Sequence, residues 1–420
     1  MTIQEINEEQ GLKREGKSPR KTITFLFGAG ISKAAELPLS LELTNSVLTG
    51  LNEETHSSIF RHPNGRYLFE KPASDKMPGY LERVILLLKL LKTEADSYYF
   101  DDRAANYEDL YFMAEQVLDS LTFRRSNPIA SCYAKHLQCL VGHLLKDTYV
   151  AAIDQRDFRP KRKVPCPPSI STMVELLREC CNYIRDVVCA MLKRTPETLN
   201  YFQWLIDAVA DVNSGQKVFF TLNNDTLLEQ SFKSANVKLV DGFGPVVESE
   251  GISYFDQRLF EDLSSPQLIK LHGSLDWFWT KSSPLQLFKL VERNRAAKRF
   301  ELDNPLILVG THNKANYYSA PLLAELHAHF RGVLKVLLRV IVCGYSFGDD
   351  AINTQLFYWL DQSTDNRVLV VHPDCADCKY GASSMSEHFV NQFENKKQVE
   401  FLRNKMECAN WSEAKEKLLS

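Results

Sequence analysis

The sequence predicts an α/β fold: a parallel sheet with helices on both faces and a large all-helical insertion. Two observations carry this reading. Four short β-branched or aromatic runs each end in Gly, Asn, Asp or His: FLFGAGIS (Phe25 to Ser32), FFTLNNDTLLE (Phe219 to Glu229), KLHGSLDW (Lys270 to Trp277) and VIVCGYSFGDD (Val340 to Asp350). Strands of an α/β protein deliver loop residues in this way to the carboxyl edge of a parallel sheet, where ligands bind. Between the first and second runs lies a long stretch whose apolar residues recur at three- and four-residue spacing, the pattern of helices.

Taken in order, residues 1–20 are polar and charged and read as a flexible tail. The first strand-helix unit follows, with Thr22 to Phe27 as a buried strand, Gly28-Ala29-Gly30 as the turn and helical spacing from Ile31 to Leu48. Residues 51–215 form the helical insertion, with helices expected at Leu81 to Lys92, Tyr107 to Leu121, Ile129 to Thr148, Met173 to Leu192 and Thr198 to Val212. Inside it, Asp157 to Ser169 is rich in Pro and basic residues and reads as a solvated loop, because only Phe158 is there to stack on a base. The sheet resumes at Val218 and continues through Leu268, Leu306, Val340 and Val368. A last strand, Val399 to Leu402, and a short helix, Ser412 to Leu419, close the chain, so residues 21–50 and 216–420 make one sheet domain.

Each strand end carries its own polar groups. Gly28-Ala29-Gly30 lets a backbone come close to a ligand, and N–H groups at the next helix start suit a phosphate. Lys33 stands where a dinucleotide fingerprint would have its third Gly, and no Gly-Lys-Ser/Thr follows, so neither common phosphate motif is complete. Asn223, Asn224 and Asp225 leave the second strand. An Asn amide can hold a ribose hydroxyl or a water, and an Asp can fix that Asn; Asp225 also reads as a cap for the helix from Thr226 to Phe232. His272 ends the third strand beside Gly273, well placed as a general base near neutral pH. The neighbouring Trp277-Phe278-Trp279 reads equally as a pocket wall or as core. Gly344, Ser346 and Gly348 follow the fourth strand, and Asp349-Asp350 opens a helix as a cap.

Composition narrows the class. With 420 residues, 44% of them hydrophobic, the chain buries a sizeable core. A net charge of −3 argues against a broad nucleic-acid surface. Ten Cys without a disulfide-like framework suit a reducing, cytoplasmic setting, and Met1 to Lys21 lacks the apolar stretch of a signal peptide. The longest apolar run, Val84 to Leu91, is too short for a bilayer, so no membrane partner is expected.

Together the motifs resemble the sirtuin (silent-information-regulator) family, and more closely its bacterial, antiphage-defence branch. The matches are GAGIS at Gly28 to Ser32, TxNxD at Thr221 to Asp225, HGS at His272 to Ser274 and GYS at Gly344 to Ser346. The resemblance implies a Rossmann-like sheet that binds NAD+ and breaks the bond between nicotinamide and ribose. It assigns Gly28, Ala29, Gly30 and Ser32 to the pyrophosphate and Gly344, Ser346 and Asp374 to the adenosine side. It makes Asn223 the holder of the nicotinamide ribose or the attacking water, Asp225 its support and His272 the base.

Two departures bear on the reaction. Sirtuin deacylases continue with Pro-Asp-Phe-Arg, whereas here Pro38 is followed by Leu39-Ser40-Leu41. In that family the Phe shields the cleaved intermediate from water, so its loss fits outright hydrolysis. The zinc module of paired CxxC motifs is also missing: only Cys343 lies between His272 and Gly344, and the lone CxxC at Cys375 and Cys378 falls short of four ligands, so no zinc is expected. The resemblance further implies a homo-oligomer and, in some members, a helicase-type ATPase partner. Three other readings stay open: a protein deacylase or ADP-ribosyltransferase, a non-catalytic NAD-sensing module, and a metal-dependent nucleic-acid enzyme built on Asp225, Asp349 and Asp350.

Overall fold

The computed structural model describes residues 22–50, 80–99, 103–124, 127–144, 168–193, 196–281, 286–300, 302, 305–310, 321–373 and 397–419. The tail, most of the basic linker, Asp374 and the Cys375–Cys378 pair lie outside the described residues.

Nine strands are described: β1 Ile23–Phe27, β2 Lys217–Thr221, β3 Ile252–Tyr254, β4 Gln267–Lys270, β5 Trp277–Trp279, β6 Leu287–Leu290, β7 Arg339–Cys343, β8 Arg367–Val371 and β9 Val399–Leu402. Six of them form one sheet in the order β4-β2-β1-β7-β8-β9, and every pairing is parallel. The chain steps outward from β1 to β2 and β4, then returns to the other side of β1 and steps outward again. The switch in direction lies between β1 and β7, and the crevice beyond the strand ends there is where such sheets bind ligands.

Besides a single helical turn at Arg293–Ala296, the α-helices among the described residues are α1 Ser40–Thr49, α2 Tyr80–Tyr98, α3 Tyr107–Leu121, α4 Pro128–Leu144, α5 Ile170–Met191, α6 Gln203–Ala210, α7 Leu227–Ser234, α8 Pro321–Val336, α9 Asp350–Gln362 and α10 Trp411–Leu419. Side chains of a strand point alternately to its two faces, and here both faces are apolar. Leu26, Phe220, Ile269, Val342 and Val370 meet Leu326 and Phe330 of α8 and Ile352 and Leu356 of α9. Phe25, Phe27, Phe219, Ile341 and Leu369 meet Trp204 of α6, Phe232 of α7 and Trp411 of α10. The parallel sheet with helices on both faces is therefore as expected.

Helices α1 to α5 share a separate core, with Val47, Leu88, Leu110, Leu137, Leu177 and Ile184 fully buried. Each such side chain contributes about 2 kcal/mol of burial free energy. At the start of α3, Asn106 accepts from the Glu108 and Asp109 N–H groups, and Asp109 accepts from the Asn106 N–H at 2.9 Å, a reciprocal cap. The bundle core also takes in Leu275, Ile307 and Val309, residues that flank the His272 loop.

Three expectations need correction, and one left open is decided. The helix from Ile31 to Leu48 is broken: a 3-10 turn spans Ala29–Ala35, Glu36 is left-handed at φ 58°, and α1 starts at Ser40. Pro38 has no N–H to give and disfavours helical backbone at Leu37. The helix from Thr198 to Val212 is a 3-10 turn at Asn200–Phe202 followed by α6, which ends at Ala210 and packs on the sheet. The segment at Leu306 is no sheet strand. It spends its hydrogen bonds on the His272 loop: Leu306 N–H donates to Trp277 O at 2.7 Å, Ser274 N–H to Leu306 O at 2.8 Å and Leu308 N–H to His272 O at 2.9 Å. Trp277-Phe278-Trp279 is β5, part of an antiparallel sheet β3-β6-β5 that sequence reading missed together with α8. Trp277 packs 5.2 Å from Phe243 and Phe278 5.9 Å from Phe288, so these two are core, whereas Trp279 is exposed.

Candidate functional site

The site begins where β1 and β7 end. Gly28 N–H donates to Cys343 O at 3.2 Å, and Gly30 N–H donates to Gly344 O at 2.8 Å. A Cβ on Gly30 would sit 2.8 Å from Gly344 Cα, and one on Gly344, at φ +62°, would sit 2.4 Å from Ile31 N. The two glycine turns are thus pressed against each other across the switch point, and these two amides serve that contact. Ala29 is exposed beside it. Ser346 is exposed as well, held on a loop whose Tyr345 and Phe347 are buried.

Ser32 joins the first motif to the second. Asn223 Nδ2 donates to Ser32 Oγ at 3.0 Å, and Ser32 Oγ donates to Asp225 Oδ2 at 2.8 Å. Asp225 Oδ1 accepts the Leu227 N–H at 3.0 Å, so the carboxylate also makes an Asx turn that leads into α7, whose N-cap residue is Thr226. All three side chains are buried, at 3%, 8% and 6% exposure for Ser32, Asn223 and Asp225. A buried polar group without partners is costly, so the chain of bonds fixes the plane of the Asn223 amide. Lys270, buried at the end of β4, donates to Asp225 O and to Glu229 Oε1, the latter at 2.9 Å. Burial opposes its charge, but Glu229, Asp276 and Asp225 together raise its pKa, so it stays charged beneath the loop.

The second and third motifs meet through backbone: Leu271 N–H donates to Thr221 O and Leu275 N–H to Asn224 O, both at 2.9 Å. The third and fourth meet through side chains. His272 Nε2 lies 3.1 Å from Asp349 Oδ2, with both residues buried. Their strands, β4 and β7, are separated by β2 and β1, so the loop Gly344 to Asp349 turns back over the sheet edge to make this contact. Asp349 Oδ1 accepts the Ala351 and Ile352 N–H groups at 3.0 and 3.2 Å, which is the cap expected for α9. Tyr345 OH, 2.9 Å from Asn353 Oδ1, receives the Asp349 N–H at 3.1 Å and holds the turn. On α8, His327 is 1% exposed, and its pKa is pushed down to about 4, first by burial and then by the nearby His272.

The four motifs thus close into a ring of contacts, first to fourth, first to second, second to third and third to fourth. Of the expected site residues, Gly28, Gly30 and Gly344 meet at one point, and Ser32, Asn223 and Asp225 at another. His272 gains a carboxylate, and Asp374 lies outside the described residues. Sequence reading missed Asp349 as a partner of His272, and missed Lys270 and His327. A Lys inside the apolar run Leu268 to Leu271 was a readable sign; His327 on an ordinary amphipathic helix was not. Asp225 and Asp349 spend both carboxylate oxygens on protein donors, which argues against the metal-dependent reading. Chemically, the edge offers a fixed amide, a hydroxyl and an imidazole backed by a carboxylate, a set suited to placing a hydroxyl or water and taking its proton.

No curated protein matches the chain. Residues 217–401 match the model of the SIR2-like domain family, a span that runs from the first residue of β2 into β9. Strand β1, with Gly28 to Ser32, precedes that span yet pairs with β2 and β7 in the middle of the sheet. The chain therefore carries a SIR2-like domain at residues 217–401, its sheet completed by β1.

Proposed function

We propose that the protein is an NAD+ glycohydrolase. The bond between the nicotinamide nitrogen and the ribose C1′ breaks, the nitrogen keeps the electron pair, and water adds to C1′. The products are nicotinamide, ADP-ribose and a proton. The observation that supports this reading best is the ring of contacts at the carboxyl edge of a SIR2-like sheet, with Asn223 and His272 in two of its links. The family match fits an NAD-using enzyme.

In this reading Asn223, its amide plane set by Ser32 and Asp225, holds the nicotinamide ribose or the water. His272 takes the proton that the ribose hydroxyl or water gives up. A positioned base of this kind contributes about 10²- to 10⁴-fold in rate. The glycine turns at Gly28, Gly30 and Gly344, with Ala29 and Ser346 exposed beside them, border the dinucleotide's phosphates and adenosine. Leu39-Ser40-Leu41, in place of the deacylases' Asp-Phe-Arg, supports access of water. Unchecked hydrolysis of NAD+ is lethal, so the reading extends to a regulated effector of antiphage defence that assembles as a homo-oligomer, with or without an ATPase partner.

The test is product analysis. Purified chain incubated with NAD+ should yield free nicotinamide and ADP-ribose in equal amounts. ADP-ribose linked to acetyl groups or protein would replace the hydrolase with an acyl- or ADP-ribosyl-transfer reaction. Intact NAD+ that nevertheless binds, with or without candidate activators, would leave a sensing module.

A further inference from the structure

We infer that Asp349 is a positioning residue that holds His272 in one tautomer, with the proton on Nε2 and the lone pair on Nδ1. The inference rests on the hydrolase reading only for what His272 then does; the tautomer itself is a property of the free protein.

Asp349 does two jobs with two oxygens. Oδ1 accepts the Ala351 and Ile352 N–H groups and caps α9, while Oδ2 faces His272 Nε2 at 3.1 Å. A carboxylate oxygen only accepts, so the imidazole nitrogen facing it carries hydrogen. Once Nε2 is the donor, a neutral imidazole has its basic lone pair on Nδ1. The carboxylate is itself locked: its own N–H donates to Tyr345 OH at 3.1 Å, Tyr345 OH reaches Asn353 Oδ1 at 2.9 Å, and Asn353 Nδ2 donates to Phe347 O at 2.7 Å. Helix α9 and the fourth motif thus set the orientation of a side chain at the end of β4. His327, buried close by and with its pKa pushed down by burial, is neutral near pH 7 and adds no second charge to this pair.

A helix cap alone would not need Asp here, because Asn, Asp and Ser cap about equally well. The substitution Asp349→Asn therefore separates the two roles. It keeps the cap acceptor but can turn an N–H toward His272, which favours the tautomer with the proton on Nδ1. Asp349→Ser keeps a cap and removes the contact. Nitrogen-15 shifts of the His272 ring in the full-length protein read the tautomer without substrate.

The expected result is Nε2–H in the parent, a shift to Nδ1–H in Asp349→Asn, unchanged thermal unfolding of both variants, and a fall of about 100-fold in kcat for nicotinamide release by Asp349→Asn with KM little changed. A parent imidazole protonated on Nδ1, or an Asp349→Asn variant that keeps the Nε2–H tautomer, would overturn the inference. If the tautomer moves as expected but no preparation releases nicotinamide, the positioning role stands and the hydrolase reading fails.

Discussion

The two glycine turns and the two polar clusters sit on the same sheet edge, yet they are built by opposite means. At Gly28, Gly30 and Gly344 the backbone of one turn fills the space where the other would carry side chains. At Ser32, Asn223, Asp225, His272 and Asp349, the contacts that join one motif to another run from side chain to side chain. The first region gives the edge its shape, and the second gives it chemistry. A glycine-rich motif is usually credited to its ligand. Here Gly30 and Gly344 owe their identity first to each other, and the groups that can act on a substrate come from elsewhere in the ring.

This contrast is open to direct tests, the largest effect first. Lys270 ties the second cluster to the sheet, and Lys270→Met removes a buried cation from beside Glu229 and Asp225. Breaking such a pair costs about 3–5 kcal/mol of stability, to be read from urea unfolding. A loss below about 1 kcal/mol would mean that Lys270 does not hold the loop. In the first region, Gly344→Ala brings a Cβ 2.4 Å from Ile31 N on a backbone at φ +62°. Strain and overpacking together should lower stability by about 3 kcal/mol, and parent-like unfolding would deny the contact between the turns.

The third test is pH dependence. Burial lowers the His327 pKa from 6.5 to about 4, so the folded protein binds this proton less readily than the unfolded chain. Stability should therefore fall as pH drops from about 6.5 toward 4, by up to about 3 kcal/mol from this group. His327→Gln should flatten that slope, and an unchanged slope would locate the proton uptake elsewhere. The smallest effect on stability is Ser32→Ala, which leaves Asn223 and Asp225 without their shared hydroxyl. Stability should fall by about 1–2 kcal/mol, while nicotinamide release should drop about tenfold or more as the Asn223 amide loses its fixed plane. Parent-like turnover in this variant would detach Ser32 from the chemistry.

Much of the architecture could be read from the chain because it rests on local pattern. The apolar runs at Phe25, Phe219, Leu268, Val340 and Val368 are strands, and Tyr107 to Leu121 is a helix over the expected residues. Errors fell where long-range context decides. Ile31 to Leu48 has helical spacing throughout, but Pro38 and the left-handed Glu36 split it. Leu306 to Val309 has the composition of a strand, but it hydrogen-bonds a loop, with Ile307 and Val309 turned into the bundle core and Leu308 into the sheet core. In the site, Asn223, Asp225 and His272 were legible because each ends a strand. Asp349 was legible only as a cap, since nothing local shows that its second oxygen reaches a histidine with two strands between. Helices α1 to α5 have their own core, and that core reaches Leu275 and Ile307 beside the His272 loop. Among the described residues no helix is long and apolar enough to cross a membrane.

The most direct measurement is nicotinamide release from NAD+ by the parent chain and by His272→Gln, prepared together and matched in thermal unfolding. Gln keeps an N–H that can face Asp349 but has no basic nitrogen. The account predicts steady release of nicotinamide with matching ADP-ribose by the parent and a loss of at least about 100-fold in the variant. Equal rates for the two proteins would contradict it.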